Sequence, residues 1–389
     1  MKKAINRSLH FLLYKGVIKT LRYLPKSLRE TITNSIVTLR AGKARNLKIP
    51  TSIVFFITNK CNARCIHCFY WKELNTPEKE MNITEIRKIA YSLKDSYSIV
   101  ITGGEPFLRK DIYDICKSFD GKISTLRLAT NGLKTNFIHE TVSKILKHCS
   151  FKQIDIQISI DGPEELHDHI RGIKGCFNSA IETIKKLKTL KSTHSKTKLN
   201  IEMITALNKK NHNKIKTIVS NASQLRTPVN FIITRSSSYG VFNLPKIASS
   251  EIYPKEKKIT DLSAEELKNI FSELKAMNSM QPYKFWSTEN QLYLKYSIEL
   301  LEKRKKRFDC YAGTVDGVIY PNGKVALCEL TKPVGNLKDY NFNLHNLWHS
   351  KKANEMRKNI KQCSCIHSCN MSTNIRLSRE YINDTSTQI

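Results

Sequence analysis

The sequence predicts an α/β fold, a partial (β/α)6 TIM-like barrel over residues 51–235 followed by a small Cys-rich α+β domain over 283–375. Three observations lead there. From Ser52 to Thr234, short β-rich runs alternate with amphipathic helical stretches, the pattern of a parallel sheet covered by helices. Six such units fit an incomplete barrel, whose sites gather at the C-terminal ends of the strands. The eleven cysteines are not scattered but fall largely into two groups, C-x3-C-x2-C near the first strand and C-x-C-x3-C near the end. That clustering reads as metal ligation in a reducing, cytoplasmic compartment rather than as disulfides.

The chain of 389 residues has room for two domains, and its 40% hydrophobic content supports a large core. The formal net charge of +31 favours encounter with nucleic acid, anionic membrane or acidic substrates without choosing among them. Lys and Asn richness is also what a low-GC genome produces.

Residues 1–50 carry twelve Lys or Arg against the single acid Glu30. Ile5, Leu9, Leu12, Leu13, Val17, Leu21 and Leu24 keep a helical period, and Pro25 is expected to stop that helix. No apolar run here approaches the ~18 residues of a spanning helix, and no small-residue cleavage site follows. Two readings stay open, an in-plane helix making peripheral contact with the inner membrane face and a helix docked on the protein's own core.

Strands are expected near 52–58, 97–102, 123–129, 153–160, 198–205 and 229–234. Asn82 with Glu85 makes a capping-box start for a helix over 83–93, and Phe177 to Leu190 repeats apolar residues at helical spacing. Residues 236–282 read as a linker or lid plus a helix that Ser263 and Glu266 open. In the last region, Val315 to Tyr320 and Lys324 to Leu327 flank Pro321-Asn322-Gly323 as a hairpin that brings Cys310 and Cys328 together. Residues 376–389 read as a polar tail, and Cys116, Cys149 and Cys176 as plain core thiols.

Cys61, Cys65 and Cys68 follow the first strand in a polar loop. Three thiolates on a four-iron cubane leave one iron open to a small chelating molecule. A buried helix face or a structural zinc site are the competing readings, although zinc usually takes paired knuckles and four ligands. Beyond the second strand stands Gly103-Gly104-Glu105-Pro106, beyond the third Thr130-Asn131-Gly132, and beyond the fourth Ser159-Ile160-Asp161 with Arg171 twelve positions after Ser159. The glycines would let backbone approach a ligand closely.

Together these motifs resemble those of radical S-adenosylmethionine (SAM) enzymes, with His67 at the usually aromatic position of C-x3-C-x-Φ-C. The resemblance implies a SAM-binding [4Fe–4S] cluster on Cys61, Cys65 and Cys68. It implies that GGEP holds the methionine amino group, that Asn131 lies near the nucleoside, and that Ser159 and Arg171 hold the SAM carboxylate. Asp161 would contact the ribose or cap its turn.

Cys310, Gly323 and Cys328, followed by Cys363, Cys365 and Cys369, resemble the auxiliary-cluster extension called SPASM or its shorter twitch form. Five cysteines supply four ligands and one spare, so the resemblance implies one auxiliary [4Fe–4S] cluster, with Cys363 or Cys365 the spare. A zinc site is the alternative there. In sulfatase-maturing relatives the acidic residue at the position of Glu329 is a base toward substrate; a surface carboxylate bridging to a lysine is the other reading.

The resemblance implies an oxidoreductase or maturase acting on a peptide or a small sugar-, aminoglycoside- or lipid-like molecule, with flavodoxin or ferredoxin as electron donor. A tRNA-modifying enzyme is the charge-driven rival, and a non-catalytic zinc-binding module the third reading.

Overall fold

The computed structural model describes residues 20–45, 47–93, 96–191, 197–236, 259–280, 285–303, 307–308, 310–360, 363 and 365–387. Residues 5–19 of the expected amphipathic helix and most of the linker or lid lie outside them.

Six parallel strands form the body: β1 (Ser52–Thr58), β2 (Ser98–Gly103), β3 (Thr125–Thr130), β4 (Gln153–Ser159), β5 (Lys198–Leu207) and β6 (Val229–Ile233). Three short strands follow, β7 (Asp316–Ile319), β8 (Lys324–Ala326) and β9 (Gly335–Asn336). They make one nine-stranded sheet in the order β6-β5-β4-β3-β2-β1-β7-β8-β9. The two end strands do not pair, so the barrel stays open. Each sequence-expected strand is present within a residue or two.

The Cys-rich region is less separate than the sequence suggests. Its β7–β8 hairpin is antiparallel as expected, but β7 runs parallel to β1, with Ser52 opposite Asp316 and Phe55 opposite Ile319. The barrel sheet and the hairpin therefore share hydrogen bonds directly.

Alternation along β1 sends Ile53, Phe55 and Ile57 into the main core against the helices, while Val54 and Phe56 join Tyr70, Val318, Tyr320 and Ala326 on the opposite face. The capping box at Asn82 and Glu85 forms, and Ser263 and Glu266 exchange the same pair of bonds.

Near the chain ends the structure adds one helix and corrects one expectation. The helical turn Leu21–Tyr23 ends at Leu24, which is extended (ψ 148°) just before Pro25, as expected; a separate helix then runs over Lys26–Arg45, with the Pro25 carbonyl accepting from the Arg29 amide at 2.9 Å. Proline ahead of a first turn is compatible with a helix start because the missing N–H would lack a partner there anyway. The residues read as a polar tail form a helix over Arg379–Thr387, whose fully buried Ile382 packs with Leu21 and Ile36. Ile382, with Tyr381 packed against the main core, gives such a short helix a docking face.

No helix among the described residues is long and apolar enough to cross a membrane.

Candidate active site

The C-terminal end of β1 opens into the loop with Cys61, Cys65 and Cys68, all half-buried and free. Its backbone is tied on two sides. Arg64 and Ile66 donate to the carbonyls of Arg171 and Ile170, and Cys68 donates to Cys65 at 3.1 Å, a tight turn that keeps the last two thiols together. On the other side, Gly104 donates to Thr58 and Glu105 to Lys60. A Cβ on Gly103 would stand 2.2 Å from the Thr58 carbonyl oxygen, and one on Gly104 2.1 Å from that of Lys60. The close approach these glycines permit includes one to the end of β1 and the start of the cysteine loop itself.

Glu105 is buried, and its carboxylate accepts from the Thr130 hydroxyl and the Asn131 amide, both at 2.8 Å, and from the Phe107 amide at 3.1 Å. Burial pushes its pKa up to about 7 despite these three donors. It joins the loops after β2 and β3. Pro106 begins the short 3-10 turn that presents it, and Asn131 extends the tie by donating to Asn62 at 2.9 Å.

Ser159 ends β4. Asp161, two residues on, is fully buried; its Oδ1 accepts from the Ala206 amide and its Oδ2 lies 2.6 Å from Arg171 Nη2. Arg171 is accordingly no surface ion pair: it is largely enclosed, with Nη1 3.6 Å from Cys65 Sγ. Asp161 is held low despite burial, the Arg171 guanidinium being the chief cause. Burial brings His67, 3.9 Å from the same carboxylate, down to about 4, so its ring stays neutral.

The donor set fits the groups the motifs imply. Burial raises Cys61 to about 12 and Cys68 to about 11, so these thiols keep their protons until a cation replaces them. Among the described residues, Arg171 Nε and His67 Nδ1 are buried without hydrogen-bond partners, which leaves polar atoms beside the thiols for a polar ligand.

Among the later cysteines, Cys310 and Cys365 lie beside Cys363 and help push its thiol well up, and Cys328 has Cys365 and Cys310 as neighbours. Cys310, Cys363 and Cys365 line one cavity with Tyr296, Arg307 and Met371. Both sulfurs between which the spare was sought therefore belong to the thiol group. Cys369 turns instead toward Glu329 and His367, the three ligand atoms lying within 4.8 Å of one another. That trio does not resemble a free cation site, because Arg235 Nη2 stands 2.5 Å from Glu329 Oε2 and 3.1 Å from His367 Nδ1.

Glu329 is consequently not a surface carboxylate bridging to a lysine; it is 4% exposed and paired with an arginine. Arg235 also lies over the Phe69 ring at 4.2 Å, and Phe69 directly follows Cys68. The sequence reading missed Arg235, His367 and Phe69. For Arg235 the signal was its place just past β6, the mouth end of a barrel strand.

Family models match in the same places, the radical SAM superfamily over residues 55–219 and the SPASM iron–sulfur cluster-binding domain over 310–370. The sporulation killing factor maturation protein SkfB of Bacillus subtilis is 34% identical over 143 residues, 36% of this chain and 33% of that protein. The Fe-coproporphyrin III synthase of Methanosarcina barkeri is 29% identical over 136 residues, 33% of this chain and 32% of that protein. The matches thus span about a third of these curated relatives. Streptococcus suis SuiB bound to its precursor peptide SuiA has the same fold, with a TM-score of 0.58 at 17% identity over 91% of this chain and 79% of SuiB. A radical SAM domain implies a [4Fe–4S] cluster and SAM, and a SPASM domain implies auxiliary iron–sulfur binding. With the cysteine loop, the GGEP turn and the later thiol group each inside a matched region, the chain belongs to the radical SAM superfamily and carries a SPASM domain after its barrel.

Proposed function

We propose that this chain cleaves SAM reductively and abstracts hydrogen from a peptide substrate. The observation that carries the reading is the triple thiol loop clamped between the GGEP turn and the helix ending at Arg171. When bound, the cluster and SAM supply a 5′-deoxyadenosyl radical; the chain's own part is to bind, orient and exclude water. Cys61, Cys65 and Cys68 would hold the cluster. Glu105 braces the loops around the methionine end, and Asn131 closes the nucleoside side. Ser159 and Arg171 would meet the carboxylate, with Asp161 holding Arg171 until they do.

The peptide reading rests on the similarity to SkfB, a maturation protein. Flavodoxin or ferredoxin would supply the electron. Cys310, Cys328, Cys363 and Cys365 are the nearest set for an auxiliary cluster. Glu329 as a base toward substrate is weakened by its pairing with Arg235, which already occupies its Oε2. Its better-supported role is to hold Arg235.

The test is anaerobic. Reconstituted protein given dithionite and SAM is expected to form 5′-deoxyadenosine, and the variant with Cys61, Cys65 and Cys68 all replaced by Ala to form none. Undiminished 5′-deoxyadenosine from that variant would reject the assignment. Deuterium passing from a labelled candidate peptide into 5′-deoxyadenosine would identify the substrate.

A further inference from the structure

Arg235 stands where the two cysteine-bearing regions face each other. It follows β6 at the barrel mouth, its guanidinium face lies on Phe69 beside the first thiol loop, and its Nη2 binds Glu329 and His367 beside the second. Three contacts from three distant segments fix one side chain. Yet, among the described residues, Nη1 is buried without any hydrogen-bond partner. An unpaired buried donor on a charged group costs more than a neutral one, and native structures keep very few. The ring covering the guanidinium, Phe69, is itself 36% exposed, so a rotamer change of a surface side chain uncovers the group.

We propose that Arg235 is a substrate-binding residue whose Nη1 donates to a neutral oxygen acceptor, a backbone carbonyl of the peptide held between the two cysteine groups. The neutrality follows from charge balance. Glu329 already compensates the guanidinium at 2.5 Å, so a second carboxylate would meet a pair of no net charge and would lie close to Glu329 itself. A carbonyl takes the remaining donor without that repulsion. Arg235 thereby also sets the register of the peptide relative to the first cysteine loop. The inference rests on the peptide reading above, but its test needs neither turnover nor a known substrate.

The probes are N-acetylglycine N-methylamide, which offers neutral carbonyls, and acetate, each titrated by ligand-observed NMR into the anaerobically reconstituted protein. The wild type is expected to bind the amide and to bind acetate less. Arg235→Lys, which keeps the charge but loses the fork, is expected to weaken amide binding by about tenfold or more, given the worth of a hydrogen bond to a charged group. Glu329→Gln removes the counter-charge and is expected to reverse the preference toward acetate. Iron content and thermal unfolding of each variant show that it is folded. Equal amide affinity in wild type and Arg235→Lys, or acetate preferred by the wild type, overturns the proposal. Loss of amide binding with SAM cleavage intact leaves the proposed function standing, whereas amide binding without SAM cleavage sinks that function alone.

Discussion

Gly104→Ala tests the clamp on the cysteine loop. The added Cβ would meet the Lys60 carbonyl oxygen at 2.1 Å, the Lys60 carbonyl carbon at 2.6 Å and Cys61 Cβ at 3.1 Å. Two of these are backbone atoms, which no rotamer change can remove. Restoring ordinary contact at 3.4 Å requires the two loops to part by about 1.3 Å, the difference between 3.4 and 2.1 Å. That motion carries the Gly104–Thr58 and Glu105–Lys60 bonds, now 2.8 and 2.7 Å, beyond hydrogen-bonding range. About 1 kcal/mol for each bond and 1–3 kcal/mol for overpacking give about 3–5 kcal/mol. Such a loss is a large part of the stability of an ordinary domain. The assay is urea unfolding of the apo protein, followed by iron incorporation on reconstitution. Gly42→Ala is the control, because no described residue lies within 4 Å of its added Cβ inside the helix Lys26–Arg45, and it is expected to stabilise by about 0.5–1 kcal/mol. A Gly104→Ala protein with the wild-type midpoint and full iron would refute the reasoning.

Three further outcomes follow from buried groups. Asp161→Asn leaves the enclosed Arg171 without its counter-charge and is expected to cost about 3–5 kcal/mol in urea unfolding; an unchanged midpoint contradicts the buried pair. Glu105 has its pKa raised by burial from 4.5 to about 7, so its favourable contribution is complete below pH 4.5 and disappears as pH rises through 7. The wild type should therefore lose more stability than Glu105→Gln between pH 5 and 8, on the order of 3 kcal/mol at most, and parallel pH profiles would argue against it. Ile382→Ala should release the helix Lys26–Arg45 at a cost of about 2 kcal/mol, seen as earlier proteolysis within it; unaltered protease resistance would mean that other contacts hold it.

What the sequence made legible was local. The strands of the barrel announce themselves by alternation between apolar runs and amphipathic helices, and Cys61, Cys65 and Cys68 by spacing. The capping boxes at Asn82 and Ser263 are three-residue patterns whose bonds form as their chemistry requires. What stayed hidden needs distant partners. Arg235, Glu329 and His367 meet from segments with no shared period, and nothing beside Arg171 marks Asp161 as its partner rather than a ribose contact or a turn cap. The helix ending near Thr387 was missed because Tyr381 and Ile382 alone make it apolar, too little for a periodic signal but enough for docking.

The pairing of β1 with β7 makes the two halves inseparable in a practical sense. Cutting the chain after β6 to obtain a minimal barrel would strip Ile53, Val54 and Phe55 of the strand that now covers their backbone, leaving a flat apolar edge open to other chains. A truncated barrel is thus expected to self-associate through β1, and a chimera that exchanges the SPASM region has to bring a compatible β7 with it. Inheritance of the two regions would then be constrained at a four-residue seam, where a register slip of one residue would turn Val318 and Ile319 onto the wrong faces.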